Sequence, residues 1–274
     1  MTRTARLIAS LAVAAAFMAC EPTPQNAKEP APRIAEDTLH EEALRVVEPV
    51  PAEGRSWDQW QIHGALRNVN LHGDVSSRVN LNELFGADGI NHGVGAMGGL
   101  TGELTLSGER LARAIGGAKP IFEVLPASEE LDQEATFFFA TRVEEWQEIR
   151  LEEAMGREEL SDYLESWTAK TGVEGALPFR YEGPFESLEA HVVDISSLPE
   201  GGGNSCAERK EASYRFRDNG RTGELVGIFT KNHTSIVVDH TTYLHIHVIL
   251  DNEHSGHVDD FILPEGAVIH LPSS

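Results

Sequence analysis

Three histidines near the C-terminus have the residue type and spacing of a metal site. His245 and His247 lie two residues apart in the run Tyr-Leu-His-Ile-His-Val-Ile, and His257 follows shortly after. The segment Leu244–Leu250 alternates with period two, which predicts a strand with both histidines on one face and an apolar opposite face. Neutral imidazoles grouped in this way are ligands that zinc prefers.

The third histidine joins the other two only if the chain turns back. The sequence predicts a turn over residues 251–256 and a returning strand over 258–263. If Asp251 pairs opposite His257, the third imidazole shares the face of His245 and His247 and leaves an open coordination position, which is typical of a catalytic zinc. The alternative is three surface histidines on a solvated sheet face. We favour the metal site, because this pattern is specific.

The elements that must position these histidines indicate an α+β fold, with mixed or antiparallel sheets and a helical middle segment. Predicted strands cover residues 60–70, 100–106, 212–217, 223–230 and 234–238, and a hairpin covers 177–195. Residues 81–85 and 133–166 have helical patterns, with 137–139 as an alternative strand. The glycine-rich residues 91–99 predict a tight loop that lets the backbone approach a buried site.

The N-terminus predicts a bacterial secretion signal over residues 1–20, with Cys20 as the lipid-bearing residue. Phe17 stands where leucine is usual, so simple cleavage or an uncleaved anchor stays open. A proline-rich tether follows over residues 21–56, and the folded domain is expected at 57–274, with a sub-boundary near 197–210. We expect a periplasmic or outer-membrane lipoprotein.

The net charge of the chain limits the classes of partner that it can bind. It has 22 basic and 44 acidic residues and a net charge of -22, a field that repels nucleic acid and anionic lipid. We expect a small-molecule substrate, no nucleic acid, and membrane contact only through the lipid anchor at Cys20; a homodimer is compatible with the sequence. With Cys20 lipidated, Cys206 has no cysteine partner, so no intrachain disulfide is expected.

Two stretches resemble the α-acetolactate decarboxylase family. The C-terminal one runs from Gly-Glu-Leu-Val-Gly-Ile-Phe at residue 223 to Ser-Gly-His-Val-Asp-Asp-Phe at residue 261 and is similar to the family's zinc-binding segment. The N-terminal one includes Gly-Val-Gly-Ala-Met-Gly-Gly-Leu-Thr-Gly-Glu-Leu over residues 93–104. The resemblance implies a Zn²⁺ held by His245, His247 and His257, with the carboxylate of Glu103 beside it.

The sequence also departs from the family's pattern. The turn before His257 is one residue shorter, and Ser255 replaces a glycine of the usual Gly-Gly-His. His191 stands where the family has an arginine. Only 17 residues follow His257, and we expect no counterpart among them of the second carboxylate that the family's C-terminal tail places near the zinc.

The resemblance implies decarboxylation of a 2-hydroxy-3-oxo acid, 2-acetolactate, to acetoin. A zinc ion chelated by the ketone and hydroxyl oxygens acts as a Lewis acid and electron sink. By the same resemblance, Glu103 would protonate the enediolate that remains after carbon dioxide leaves, and His191 would take the arginine's place beside the substrate's negative charge. Judged by its neighbours alone, Glu103 fits an exposed strand position equally well.

Two other functions stay open. The first is a non-catalytic zinc-binding or ligand-binding lipoprotein, which the missing arginine and tail favour. The second is a different zinc hydrolase with three histidine ligands, because a fold does not determine a function. Among the remaining histidines, His254 competes for the third ligand position, while His233 and His240 are expected near the site or on the surface. Asp239 or Asp259 is a candidate to orient a ligand imidazole.

Overall fold

The computed structural model describes residues 56–85, 89–128, 130–199, 202–203, 205–251 and 253–273. The predicted signal peptide, the lipid-bearing Cys20 and the tether up to residue 55 lie outside the described residues. Within the described part, the chain forms two antiparallel sheets and four helices. The predicted α+β class is therefore confirmed.

The first sheet has seven strands: β1 (Gln61–His63), β2 (Val79–Asn80), β3 (His92–Met97), β4 (Gly102–Ser107), β5 (Arg110–Ile115), β6 (Ile121–Pro126) and β7 (Glu134–Thr141). Their order is β1-β7-β3-β4-β5-β6, and β2 pairs with β7. In β7 the run of three phenylalanines alternates between the faces, so that Phe137 and Phe139 point to one core and Phe138 to another.

The second sheet has nine strands: β8 (Trp146–Arg150), β9 (Met155–Gly156), β10 (Leu177–Pro184), β11 (Ser187–Val192), β12 (Tyr214–Asp218), β13 (Thr222–Phe229), β14 (Leu244–Leu250), β15 (His254–Leu263) and β16 (Val268–Pro272). Their order is β12-β11-β15-β14-β13-β10-β16-β8, and β9 pairs with β15. The chain passes from the first sheet to the second within residues 142–145.

The longest helix is α3 (Arg157–Thr171), and the other three are short: α1 (Leu66–His72), α2 (Asn82–Phe85) and α4 (Cys206–Ala212). Single 3-10 turns lie at Ser56–Asp58 and Gly98–Leu100. Helix α3 ends at Gly172, which adopts a left-handed conformation (φ 70°) that glycine accepts without strain. Leu160 and Leu164 of α3 are fully buried against the second sheet. Burial of this apolar stripe holds the helix in place.

The two sheets face each other, and apolar side chains from both fill the space between them. Val94 and Ala96 of β3 meet Val226 and Ile228 of β13 in this cluster. The alternate residues of Leu244–Leu250 belong to a separate cluster on the other face of the second sheet, as the alternation predicted. The histidines of β14 therefore point toward the first sheet.

The glycine-rich segment that was predicted to be a loop is instead β3, a buried central strand. A Cβ on Gly95 would lie 2.3 Å from the Phe137 carbonyl oxygen and 2.8 Å from the ring of Phe138. A Cβ on Gly93 would lie 3.1 Å from the same ring. These glycines thus make room for Phe138 across the ladder, and they do not form a turn.

The helical prediction for residues 133–166 holds only from Arg157 onward. Residues before it form β7, β8 and β9, as the alternative strand at residues 137–139 indicated for β7. Glutamates spaced three apart in 145–148 imitate a helical face, but Trp146 and Ile149 are partly buried against the second sheet's core. Tertiary packing overrides local preference here.

Two further local predictions need correction, and one helix was missed. Residues 60–70 form only the short β1 before Gly64 (φ 77°) ends the strand and α1 begins. Residues 234–238 contain a turn around Ser235 (φ 64°) and a single isolated bridge. Helix α4 was not predicted, although Ser205 and Glu208 form a capping box that signals its start.

The strands of the predicted hairpin at 177–195 exist, but they do not pair with each other. Strands β13, β14 and β15 lie between β10 and β11 in hydrogen-bonding order. In a flat sheet four spacings of about 4.8 Å would separate β10 and β11 by roughly 19 Å. The two residues that join them span at most about 10 Å. The second sheet must therefore curl until these strands meet.

Candidate metal centre

The three predicted ligands come together between the sheets. One ring nitrogen of each of His245, His247 and His257 lies within 4.8 Å of the others. The ring centroids are 5.0 to 5.4 Å apart. Across the described ranges, this is the one group of three or more histidine, cysteine or acidic residues with such geometry.

The register that assembles the cluster differs from the predicted one. His257 pairs directly opposite His247, not opposite Asp251, and β15 already begins at His254, inside the range predicted as a turn. Asp251 adopts a left-handed conformation (φ 48°), which tightens the hairpin. The register differs by four positions, an even number, so His257 still lies on the predicted face.

Each of the two β14 histidines has its second ring nitrogen engaged away from the cluster. Nδ1 of His245 lies 2.6 Å from the carbonyl oxygen of Val237, which can only accept, so Nδ1 carries the proton. Nδ1 of His247 lies 3.1 Å from Oγ1 of Thr105. Nε2 of His247 is buried and has no hydrogen-bond partner. An orphaned imidazole nitrogen aimed into a histidine cluster fits a metal ligand.

The cluster is electrically suited to a cation. Burial lowers the pKa of His245 to about 4, although the Val237 carbonyl opposes this effect. Burial also holds the pKa values of His247 and His257 well below the ordinary range, and the neighbouring histidines add to this. All three rings are therefore neutral near pH 7, the state in which imidazole binds a metal.

Glu103 lies on β4, in the sheet opposite the histidines. Its side chain is buried, with 4% of the residue exposed, so the solvent-exposed interpretation is wrong. Oε1 accepts a hydrogen bond from the Val193 amide at 3.1 Å, and Oε2 lies 3.8 Å from Nε2 of His247. Burial raises the pKa of Glu103 to about 8, while the Val193 amide lowers it and the charge of Asp259 raises it further.

His191 lies beside the cluster, one strand further along the sheet. It pairs directly opposite His257, and the two ring centroids are 5.0 Å apart. Its Nδ1 is 3.0 Å from Oδ1 of Asp259, whose Oδ2 accepts a hydrogen bond from Arg215 at 3.0 Å. Asp259, a predicted candidate to orient a ligand, thus holds His191 instead.

Arg157 also belongs to the site and was not predicted. It is the first residue of α3, and its guanidinium donates to the carbonyls of Leu244, Val258 and Asp259 at 2.8 to 3.1 Å. These carbonyls belong to β14 and β15. The pairing of these two strands ends at His247 and His257, and the carbonyls lie just past that end. Arg157 therefore bridges the two ligand-bearing strands where their own hydrogen bonds end.

The three other histidines that the sequence analysis considered lie outside the cluster. His254 packs against Phe122 and Phe216 with tilted rings, at centroid distances of 4.7 and 5.9 Å. His233 is hydrogen-bonded to Thr230. His240 is largely exposed beside Asp239. None of the three joins the cluster, so His257 prevails over His254 as the third ligand candidate.

Comparison with known families decides the relationship. Residues 66–271 match the family model described as alpha-acetolactate decarboxylase. The chain belongs to the α-acetolactate decarboxylase family. The matched range includes Glu103, His191 and the three clustered histidines. A decarboxylase-like lyase function is therefore supported at the level of the family.

Several solved structures share the fold of this chain. Two acetolactate decarboxylases from Bacillus subtilis, one of them from subspecies spizizenii, share 18% and 19% sequence identity with the chain. Each covers 73% of this chain, with 79% and 80% of the other chain matched and TM-scores of 0.54 and 0.57. A Staphylococcus aureus protein described as similar to alpha-acetolactate decarboxylase shares 16% identity over 77% of this chain and 84% of its own, with a TM-score of 0.55. A comparison with curated protein sequences found no match.

The family's two sequence signatures thus meet at one place in the fold. The His-x-His strand and the later histidine come from the second sheet, and the Gly-Glu pair comes from β4 of the first. No comparable local pattern marks Arg157 or Arg215. Thr105 could have been found, because it lies two residues after Glu103 and must share its face.

Proposed function

We propose that this chain is a zinc-dependent decarboxylase that converts 2-acetolactate, or a related 2-hydroxy-3-oxo acid, to acetoin or the corresponding product. The observation that supports this most is the juxtaposition of three neutral imidazoles, of which His245 and His247 are buried and His257 is partly buried, with a buried carboxyl group, Oε2 of Glu103 being 3.8 Å from Nε2 of His247. The family match adds the reaction class.

His245, His247 and His257 would hold the metal. Bound there, zinc would supply a Lewis acid for the ketone and hydroxyl oxygens of the substrate. The free Nε2 of His247 and the protonated Nδ1 of His245 support this role, because a ligand imidazole needs one nitrogen with a free lone pair. The position left open by three protein ligands is the one that substrate oxygens need.

Glu103 would serve as the proton donor. Its Oε1 is occupied by the Val193 amide, which leaves Oε2, on the side of His247, as the oxygen that carries the proton. When the bond to the carboxylate breaks, its electron pair stays on the substrate carbon and carbon dioxide leaves. The Glu103 O–H then donates its proton to that carbon and becomes a carboxylate.

His191 would position the substrate carboxylate. Asp259 accepts from Nδ1 of His191, so the imidazole is fixed in orientation beside His257. Arg215 balances the charge of Asp259. Because Nδ1 of His191 faces Asp259, Nε2 is the ring nitrogen that would face an anionic substrate.

The core between the sheets would exclude water from the reaction. Phe137 and Phe139 stack on each other and lie 6.1 and 5.8 Å from the His245 ring, measured between centroids. A dry wall strengthens each electrostatic interaction within the site.

The decisive experiment is acetoin release from racemic acetolactate by zinc-loaded protein. The wild type should release acetoin, and both His247→Ala and Glu103→Gln should reduce the rate by at least about 100-fold. His240→Ala, an exposed histidine outside the cluster, is the matched control and should behave as the wild type. A zinc-replete, folded wild type that releases no acetoin contradicts the proposal.

A zinc hydrolase is the second candidate function, and one observation favours it. The His191–Asp259 pair beside the cluster is an arrangement that can activate water, because Asp259 orients the imidazole as a base. Ester substrates distinguish the two functions. Hydrolysis that depends on His191 and on zinc, without acetoin formation, would favour the hydrolase.

We also propose that the chain is tethered to a membrane on the periplasmic side through a lipid on Cys20. The apolar stretch, the near-lipobox and the proline-rich tether of the sequence support this. Of the residues that the structure describes, none belongs to a helix long and apolar enough to span a membrane. Detergent partitioning of the wild type against Cys20→Ser tests the anchor, and equal partitioning into the aqueous phase counts against it.

A further inference from the structure

Two buried hydroxyl groups lie between the sheets beside the ligand candidate His247. Oγ1 of Thr105 is 3.1 Å from Nδ1 of His247 and 3.3 Å from Oγ of Ser255. Thr105 is fully buried and Ser255 almost so. Buried hydroxyl groups at these distances form a continuous path from the imidazole to Ser255.

The direction of the hydrogen bonds follows from the chemistry of the ring. For Nε2 of His247 to present a lone pair, Nδ1 must carry the proton. Nδ1 then donates to Oγ1 of Thr105, and the Thr105 hydroxyl is free to donate to Ser255.

The positions of the two hydroxyls connect the parts of the site. Thr105 is on β4, two residues after Glu103, whereas Ser255 is on β15, two residues before His257. The path therefore links the strand that carries the carboxyl group to both strands that carry ligands. A shift of one sheet against the other would change the distance from Glu103 to His247.

We propose that Thr105 and Ser255 are positioning residues that hold His247 in the tautomer and orientation required for metal binding. This inference rests on the metal site in the proposed function. Partners that orient a ligand histidine typically contribute about 10- to 100-fold to metal affinity. The alternative is that the two hydroxyls only join the sheets, in which case they affect stability and not the metal.

The experiment measures zinc affinity by competition with a chelator and records the visible spectrum of the Co²⁺-substituted protein. Thr105→Val keeps the shape of the side chain and removes the hydroxyl, and it should weaken zinc binding about 10- to 100-fold and change the Co²⁺ spectrum. Thr105→Ser restores the hydroxyl and should restore both. Ser255→Ala should weaken binding in the same direction, and its effect should be less than additive with Thr105→Val.

Thr230→Val is the matched control. Thr230 is also fully buried, and its hydroxyl bonds Nδ1 of His233 at 2.9 Å, but that histidine lies outside the cluster. This variant should lose stability without a change in zinc affinity or Co²⁺ spectrum. If Thr105→Val behaves in the same way, the positioning role is refuted.

Two results separate this inference from the proposed function. Affinity and spectrum are measured without substrate, so a wild type that binds zinc but releases no acetoin refutes only the decarboxylase. If Thr105→Val does not fold, Ser255→Ala decides, and unchanged zinc affinity in that variant overturns the inference. Nitrogen-15 spectra of the metal-free protein add an independent check. The wild-type His247 should carry its proton on Nδ1, and a ring protonated on Nε2 contradicts the proposed hydrogen-bonded path.

Discussion

Replacing Glu103 with glutamine should change how the stability of the metal-free protein depends on pH. The carboxyl group is buried between the sheets, and burial raises its pKa from 4.5 to about 8. In the unfolded chain the same group regains its ordinary pKa. At a pH between these two pKa values, Glu103 is therefore protonated in the folded protein and ionised in the unfolded chain.

This difference has a definite sign and size. Because the folded pKa is raised, the contribution of Glu103 to the free energy of unfolding is complete below pH 4.5 and is lost as the pH rises toward 8. Each pKa unit corresponds to about 1.4 kcal/mol. Between pH 6 and pH 8, the free energy of unfolding should fall by about 2 kcal/mol more for the wild type than for Glu103→Gln, because the glutamine cannot ionise.

The assay is urea denaturation of both proteins at several pH values from 6 to 8, with a chelator present. The window begins at pH 6 so that the cluster histidines, whose pKa values burial lowers, stay neutral. Glu109→Gln, at an exposed turn, is the control and should run parallel to the wild type. Parallel curves for the wild type and Glu103→Gln would refute the buried, protonated carboxyl group.

Three other predictions concern neighbouring positions. Burial lowers the pKa of His92 to about 4, so this histidine alone should contribute about 2–3 kcal/mol to the fall in the free energy of unfolding between pH 7 and 4.5, and the fall measured for His92→Gln should be smaller by that amount. Gly256→Ala should cost about 1–3 kcal/mol in thermal melts and weaken zinc binding, because its Cβ would lie 2.6 Å from the His191 carbonyl oxygen, next to His257. His191→Arg should raise acetolactate turnover at pH 7, since a guanidinium stays charged there; a folded, zinc-replete variant that releases no acetoin at any pH contradicts this.

The sequence predicted the strands near the site better than the fold around them. The alternation in Leu244–Leu250 marks a strand with one apolar face, and this inference needs only local periodicity. Gly93 and Gly95 misled the prediction because their purpose is to admit Phe138 from a strand more than 40 residues away in the chain. No local pattern reveals such a contact.

The residues of the candidate site also differ in whether the sequence alone could predict them. His245, His247 and His257 could be grouped because an even error in register leaves the face unchanged. The burial of Glu103 could not be predicted from its neighbours, since it depends on how the two sheets are packed. The role of Arg157 depends on where β14 and β15 stop pairing, and the role of Asp259 depends on which strand lies next to β15. Both are properties of the complete sheet.

Zinc-edge anomalous scattering from crystals of the zinc-loaded protein tests the central claim most directly. The account predicts one strong peak between the sheets, about 2.0–2.1 Å from a ring nitrogen of each of His245, His247 and His257. Peaks confined to surface carboxylates, with none among these three histidines, would contradict it.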